Sequence, residues 1–181
     1  MAILAVYADD QLQMPTKVLT HTEDILPALA DAGVMLQTLE QQWPARSMME
    51  GAQALRIAGE LLASIGVEQN MEFAEVLELE GPPGYAEVVA DEGASEQTLA
   101  GDSLWLFLDG AATLCIHHGE KLLVLGCRRG DLLALPAGIA HWTAPVTGRQ
   151  CLIVRGGAHA EALSGASTGS DIASRYPVLE L

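Results

Sequence analysis

Basic residues are scarce in this chain of 181 residues. Lys and Arg together number 9 against 24 Asp and Glu, a formal net charge of −15 with neutral histidines. Such a charge repels phosphate backbones and anionic lipid, which argues against nucleic acid and membrane surfaces as partners. Long apolar runs are absent too, each being broken well before the roughly 20 residues that a membrane span needs. The first ten residues, Met1-Ala-Ile-Leu-Ala-Val-Tyr-Ala-Asp-Asp10, lack a basic stretch and read as a strand, not a signal peptide. Cysteine is limited to Cys115, Cys127 and Cys151, an odd count with no CxxC, so a disulfide framework is not expected. These features suggest small core residues and a cytoplasmic location. There is no repeat, no low-complexity tract, no P-loop, no GxGxxG and no nucleophile elbow around Ser164, Ser167 or Ser170.

What is present is a folded composition, with 50% hydrophobic and 18% charged residues. The length suits one domain, residues 1–181. Ile3 to Tyr7 reads as a strand. Thr20-His-Thr-Glu23 has capping-box spacing and predicts a helix over about 22–32, stopped by Gly33. Val34 to Leu39 alternates as a half-buried strand does. Ser47-Met-Met-Glu50 is a second capping box and predicts a helix over about 47–65, with Met48, Ala52, Leu55, Ala58, Leu62 and Ile65 as its apolar stripe and Gly66 as its end. Phe73 to Leu79 alternates as a strand, and Gly81-Pro-Pro-Gly84 reads as a turn.

Beyond residue 100 short apolar runs follow one another closely. They are Leu104–Leu108, Thr113–Ile116, Leu122–Leu125, Leu132–Leu135 and Cys151–Val154, separated by Asp109-Gly110, His118-Gly119-Glu120, Arg129-Gly130-Asp131 and Pro136-Ala-Gly138. This spacing predicts a mainly β chain with an antiparallel sandwich or barrel over about residues 70–160. Residues 170–177 suggest one helical turn before Pro177.

The most informative stretch is Gly130-Asp-Leu-Leu-Ala-Leu-Pro136-Ala-Gly138-Ile-Ala-His141. Gly130 and Asp131 turn the chain into a strand. Pro136 and Gly138 make a tight turn that aims His141 into a barrel, where an imidazole can ligate a metal. The stretch matches the second motif of the cupin superfamily, G-x5-P-x-G-x2-H, at every fixed position.

With Asp109-Gly110, Cys115-Ile-His117, His141-Trp142 and the tail Asp171-Ile-Ala-Ser-Arg-Tyr-Pro177, the chain resembles the bacterial acireductone dioxygenases of methionine salvage over nearly its full length. The resemblance implies a cupin jelly-roll barrel behind an α/β N-terminal section. It also implies Fe or Ni on three histidines and one glutamate, and cleavage of an acireductone by O2. Counting back from Gly110, the family's E-H-x-H-x3-E-x6-G falls on Glu96-Gln97-Thr98-Leu99-Ala100-Gly101-Asp102-Ser103. Gln97, Leu99 and Ser103 therefore stand at three ligand positions, Trp105 stands where a basic residue is expected, and Thr143 replaces an aromatic. His141 alone keeps its ligand.

Gln97 and Ser103 are weak donors toward Fe(II) or Ni(II), and Leu99 is none. No cofactor is therefore expected, Fe or Ni entering only if Asp102 or Glu96 rebuilds the ligand set. Both have the wrong strand parity for that. His117 and His118 read as hairpin residues. The expected pocket is lined by Gln97, Leu99, Ser103, Trp105, Phe107, His141 and Thr143. It would take a small molecule, with His141 as an acid–base catalyst of isomerase, dehydratase or cyclase type. Two alternatives remain: a non-catalytic small-molecule-binding cupin, and the family's dioxygenase with atypical ligands. Oligomeric state, substrate and pathway stay open.

Overall fold

A computed structural model describes residues 2–67, 71–80, 95–146 and 148–175. Two antiparallel sheets are joined by one long strand. The strands are β1 (Ile3–Ala8), β2 (Lys17–Leu19), β3 (Met35–Thr38), β4 (Phe73–Glu80), β5 (Gln97–Leu99), β6 (Ser103–His118), β7 (Lys121–Arg128), β8 (Asp131–Leu135), β9 (Ala140–Pro145), β10 (Gln150–Gly157) and β11 (Gly165–Ser167). One sheet runs β11-β5-β9-β6-β7-β1-β2; the other pairs β4 with β10, β10 and β8 with β6, and β3 with β8. The N-terminal strands thus extend the barrel's own sheets instead of packing on them as a separate layer.

The sequence suggests two strands around an Asp109-Gly110 turn, but β6 is one strand of 16 residues. Its first half pairs with β8 and β10, and its second half with β7 and β9. The bend between the halves falls at Gly110, whose φ is +76°. A Cβ there would lie 1.8 Å from the Gln150 carbonyl oxygen, so no side chain fits without moving the backbone. Beside it, the β10 register skips Leu108, a bulge that sharpens the turn of the strand.

Strand alternation then sorts the side chains. Trp105 and Phe107 join the inner cluster with Leu99, Leu114, Ile116 and Ile153. Leu104, Leu106 and Leu108 point the other way and are covered by α2 (Ala52–Ser64) through Ile57, Ala58 and Leu62. A third cluster on the outside of the first sheet joins Tyr7, Cys115 and Trp142 to Ile172, from the short α3 (Ile172–Arg175). The three cysteines are free and buried, and burial pushes their thiols up, Cys151 to about 12.

Neither capping box caps. Helix α1 (Thr22–Ala30) starts after His21, and α2 after Gly51, both without a side-chain cap bond. Arg46–Met48 forms a 3-10 turn, Met48 is exposed, and Met49 is buried under α2 instead. Tertiary burial of Met49, with Gly51 at φ +54°, delays the helix beyond its local signal. The helix stops are as expected: Gly33 and Gly66 both take positive φ, and Val34 and Val67 donate back to Leu29 and Leu62 carbonyls. The Gly81–Gly84 turn and Pro177 lie outside the described residues.

Candidate functional site

The second-motif turn is built as its residues dictate. Gly138 takes φ +77° and donates its N–H to the Leu99 carbonyl at 3.0 Å. Asp102 accepts from the Ala137 N–H at 2.8 Å. At the preceding turn, Asp131 accepts from the Arg128 N–H and from the Thr38 hydroxyl, each at 2.9 Å. Asp102 is therefore engaged in holding the turn that carries His141.

His141 is almost wholly buried, level with Gln97 on one neighbour strand and Ile116 on the other. Its Nδ1 lies 2.9 Å from the Ile139 carbonyl oxygen. A carbonyl only accepts, so Nδ1 carries the hydrogen and the lone pair of the neutral ring is on Nε2. That Nε2 is buried and, among the described residues, has no hydrogen-bond partner. Burial lowers the His141 pKa below the ordinary histidine value. The nearby Arg155 charge adds to this, while the Ile139 bond and the Glu96 charge oppose it.

Trp105 meets His141 edge to face, centroids 5.5 Å apart and planes at 90°. Its indole N–H donates to Ser103 Oγ at 2.8 Å. Directly across the β6–β10 register stands Arg155, its guanidinium carbon 5.1 Å from the Trp105 centroid. Arg155 in turn is opposite Glu75 on β4, and its Nε donates to Glu75 Oε1 at 2.7 Å. Sequence reading missed Arg155 and Glu75. The one signal was a lone cation closing the apolar run Cys151–Val154.

Of the other expected lining residues, Leu99 and Phe107 pack in the inner apolar cluster. Gln97 and Thr143 are partly buried. The Gln97 amide lies beneath β11, where a Cβ on Gly165 would come within 2.7 Å of its Oε1. A cleft of about 370 Å³ opens beside the site, lined by Asp102, Ser103, Leu104, Pro136 and His159 among others; Ser103 is the one residue of the expected lining that reaches it.

Glu96 and His117 are not loop bystanders. On the outer face of the first sheet, His117 Nδ1 lies 2.8 Å from Glu96 and its Nε2 3.1 Å from Asp9, while Thr168 donates its hydroxyl to Glu96 at 2.6 Å. Glu96 is buried there, and its partner His117 is one register step from His141's partner Ile116, on the opposite face of the sheet. Neither Asp102 nor Glu96 therefore supplies a second donor beside His141. Among the described residues no group of three or more His, Cys, Asp or Glu side chains is placed to hold a metal ion. His141 Nε2 is suited to ligation, but this donor set as it stands does not fit Fe or Ni.

No family model matches the chain. Relatives do. The acireductone dioxygenase of Pseudomonas paraeruginosa is 30% identical over 181 residues, covering 99% of both chains. That of Pseudomonas fluorescens is 29% identical over 185 residues at the same coverage. Among solved structures, acireductone dioxygenase from Bacillus anthracis with a cadmium ion in its active center aligns with TM-score 0.71 and 14% identity, over 92% of this chain and 98% of that one. These relatives overturn the expectation of no cofactor: they carry a dioxygenase's name and one holds a metal ion in its active center, so the cofactor they point to is a metal. The cupin barrel is common to both chains, the identity runs end to end, and the chain belongs to the acireductone dioxygenase family.

Proposed function

We propose that this chain binds a small, acidic, partly planar molecule at the barrel mouth and that His141 exchanges a proton with it. The observation that carries this reading is the unpartnered Nε2 of His141. Its tautomer is fixed from behind by the Ile139 carbonyl, and burial keeps the ring neutral near pH 7. A buried, neutral imidazole with a bare lone pair is a competent general base. Trp105 supplies a flat wall, and Arg155 a positive charge on the same inner face. An enediol or hydroxyketone would give its proton to Nε2, and the resulting anion would be stabilised by the Arg155 charge. The natural reactions are isomerisation, dehydration or cyclisation.

Family membership favours a second reading, the dioxygenase reaction for which the relatives are named. The metal belongs to that reaction, and His141 is the position that keeps the family's ligand. A third reading is binding of the same molecule without turnover. The buried free cysteines fit a cytoplasmic protein in each case.

One experiment separates the three. Protein is analysed for metal as purified and after exposure to Fe(II) or Ni(II), then mixed with an acireductone while its absorbance and O2 are followed. Loss of the acireductone with O2 uptake supports the relatives' reaction. Loss without O2 uptake supports proton transfer alone, and binding without loss supports the third reading. Absence of binding overturns the proposal.

A further inference from the structure

We propose that the cleft between α1 and the β2–β1–β7 end of the first sheet binds a zwitterionic small molecule of the α-amino-acid type, its carboxylate toward Lys17 and Lys121 and its ammonium toward Asp24 and Asp31. This site is separate from the barrel mouth and does not depend on the reading given for it. The cleft encloses about 360 Å³, room for a branched aliphatic amino acid.

The chain contains two lysines, and both line this cleft. Strand register puts them on one face. Val6 stands opposite Lys17 on β2 and opposite Leu123 on β7, and Ala8 stands opposite Lys121. Alternation along β7 then gives Lys121 the same face as Leu123, the face that Val6 and Leu123 bury. His118, opposite Lys121, adds a third nitrogen-bearing side chain to that wall. The facing wall is α1, which contributes Asp24, and its C-cap residue Asp31, which keeps helical backbone angles. They are seven residues apart, two helical turns, and so share one face.

The two walls are sorted by sign. Between them lie apolar surfaces of Val6, Leu123 and Ala28. Among the described residues no ion pair joins either lysine to either aspartate, and all four are exposed. Opposite charges that face each other across a gap without meeting are complementary to a ligand carrying both signs. In a chain of net charge −15 a simple anion is repelled at long range, whereas a zwitterion is not. A simple cation would leave the lysine wall unmatched. The apolar floor favours an aliphatic side chain on the carbon that carries both charged groups. Exposed charges give modest energies, so millimolar affinity is expected.

The test follows amide shifts of the full chain by NMR during titration with L-leucine. Two analogues serve as controls: 4-methylpentanoate, which lacks the ammonium, and isopentylamine, which lacks the carboxylate. L-leucine should shift amides of α1 and the start of β7 and leave the Trp105 indole N–H in place. Each analogue should bind about tenfold more weakly. Lys121→Gln and Asp31→Asn should each weaken L-leucine about threefold, with the rest of the amide spectrum unchanged. Three results would overturn the site: no shifts in the cleft with L-leucine, equal binding of 4-methylpentanoate, or shifts centred on Trp105.

Discussion

His141 and His117 sit on neighbouring strands of one sheet, one residue out of step, and so face opposite sides. Their surroundings are inverted. On the outer face both ring nitrogens of His117 meet a carboxylate, Glu96 on one side and Asp9 on the other. On the inner face His141 has one nitrogen tied to a carbonyl and the other buried with no partner. The outer histidine has nothing left to offer a ligand and ties β5, β6, the end of β1 and β11 together. The inner one keeps a lone pair that the fold has left unpaired. A buried polar atom without a partner is costly, so it marks the place to look for chemistry.

Breaking the outer arrangement should give the largest effect. Glu96→Ala removes the shared partner of His117 and Thr168 and should cost about 3 kcal/mol of stability, read from urea unfolding. The folded fraction should keep its ligand affinity. His141→Ala should do the reverse: it folds, with binding or turnover of a barrel ligand falling about tenfold or more, measured by calorimetry or assay. If His117→Ala abolished binding in folded protein while His141→Ala did not, the two roles assigned here would be exchanged.

Arg155→Gln sharpens the comparison on the inner side alone. Losing the cation over Trp105 should weaken an anionic ligand by about 1 kcal/mol. It also removes one of the two influences that lower the His141 pKa, so the ring should titrate at higher pH in an NMR titration. The smallest effect is on stability against pH. Because the folded His141 pKa is lowered, the unfolded chain takes up that proton first. Its contribution should be full above the unfolded value of about 6.5 and be lost as pH falls from there toward the folded pKa. In His141→Gln this part of the slope should be missing.

The turn Pro136–Gly138, the antiparallel strands and the inward parity of Ser103, Trp105 and His141 were legible in the sequence, because turn chemistry and two-residue alternation are local. The capping boxes misled because burial of Met49 and the conformation of Gly51 are decided by the packed chain. Arg155, Glu75 and the Glu96–His117–Asp9 line were invisible for a related reason. Each pair is brought together by cross-strand register over tens of residues, and no local spacing encodes it. The continuity of β6 was hidden by Asp109-Gly110, which reads as a hairpin turn and is a bend within a strand.

Gly110 also serves as a ruler. A position that admits no Cβ, by clash with the Gln150 carbonyl and by its φ of +76°, cannot drift along the chain without breaking the bend that joins the two sheets. It is therefore a fixed mark from which residues can be counted. Ser103, Trp105 and Phe107 precede it on β6 at alternate positions, so the face they share is set relative to that mark.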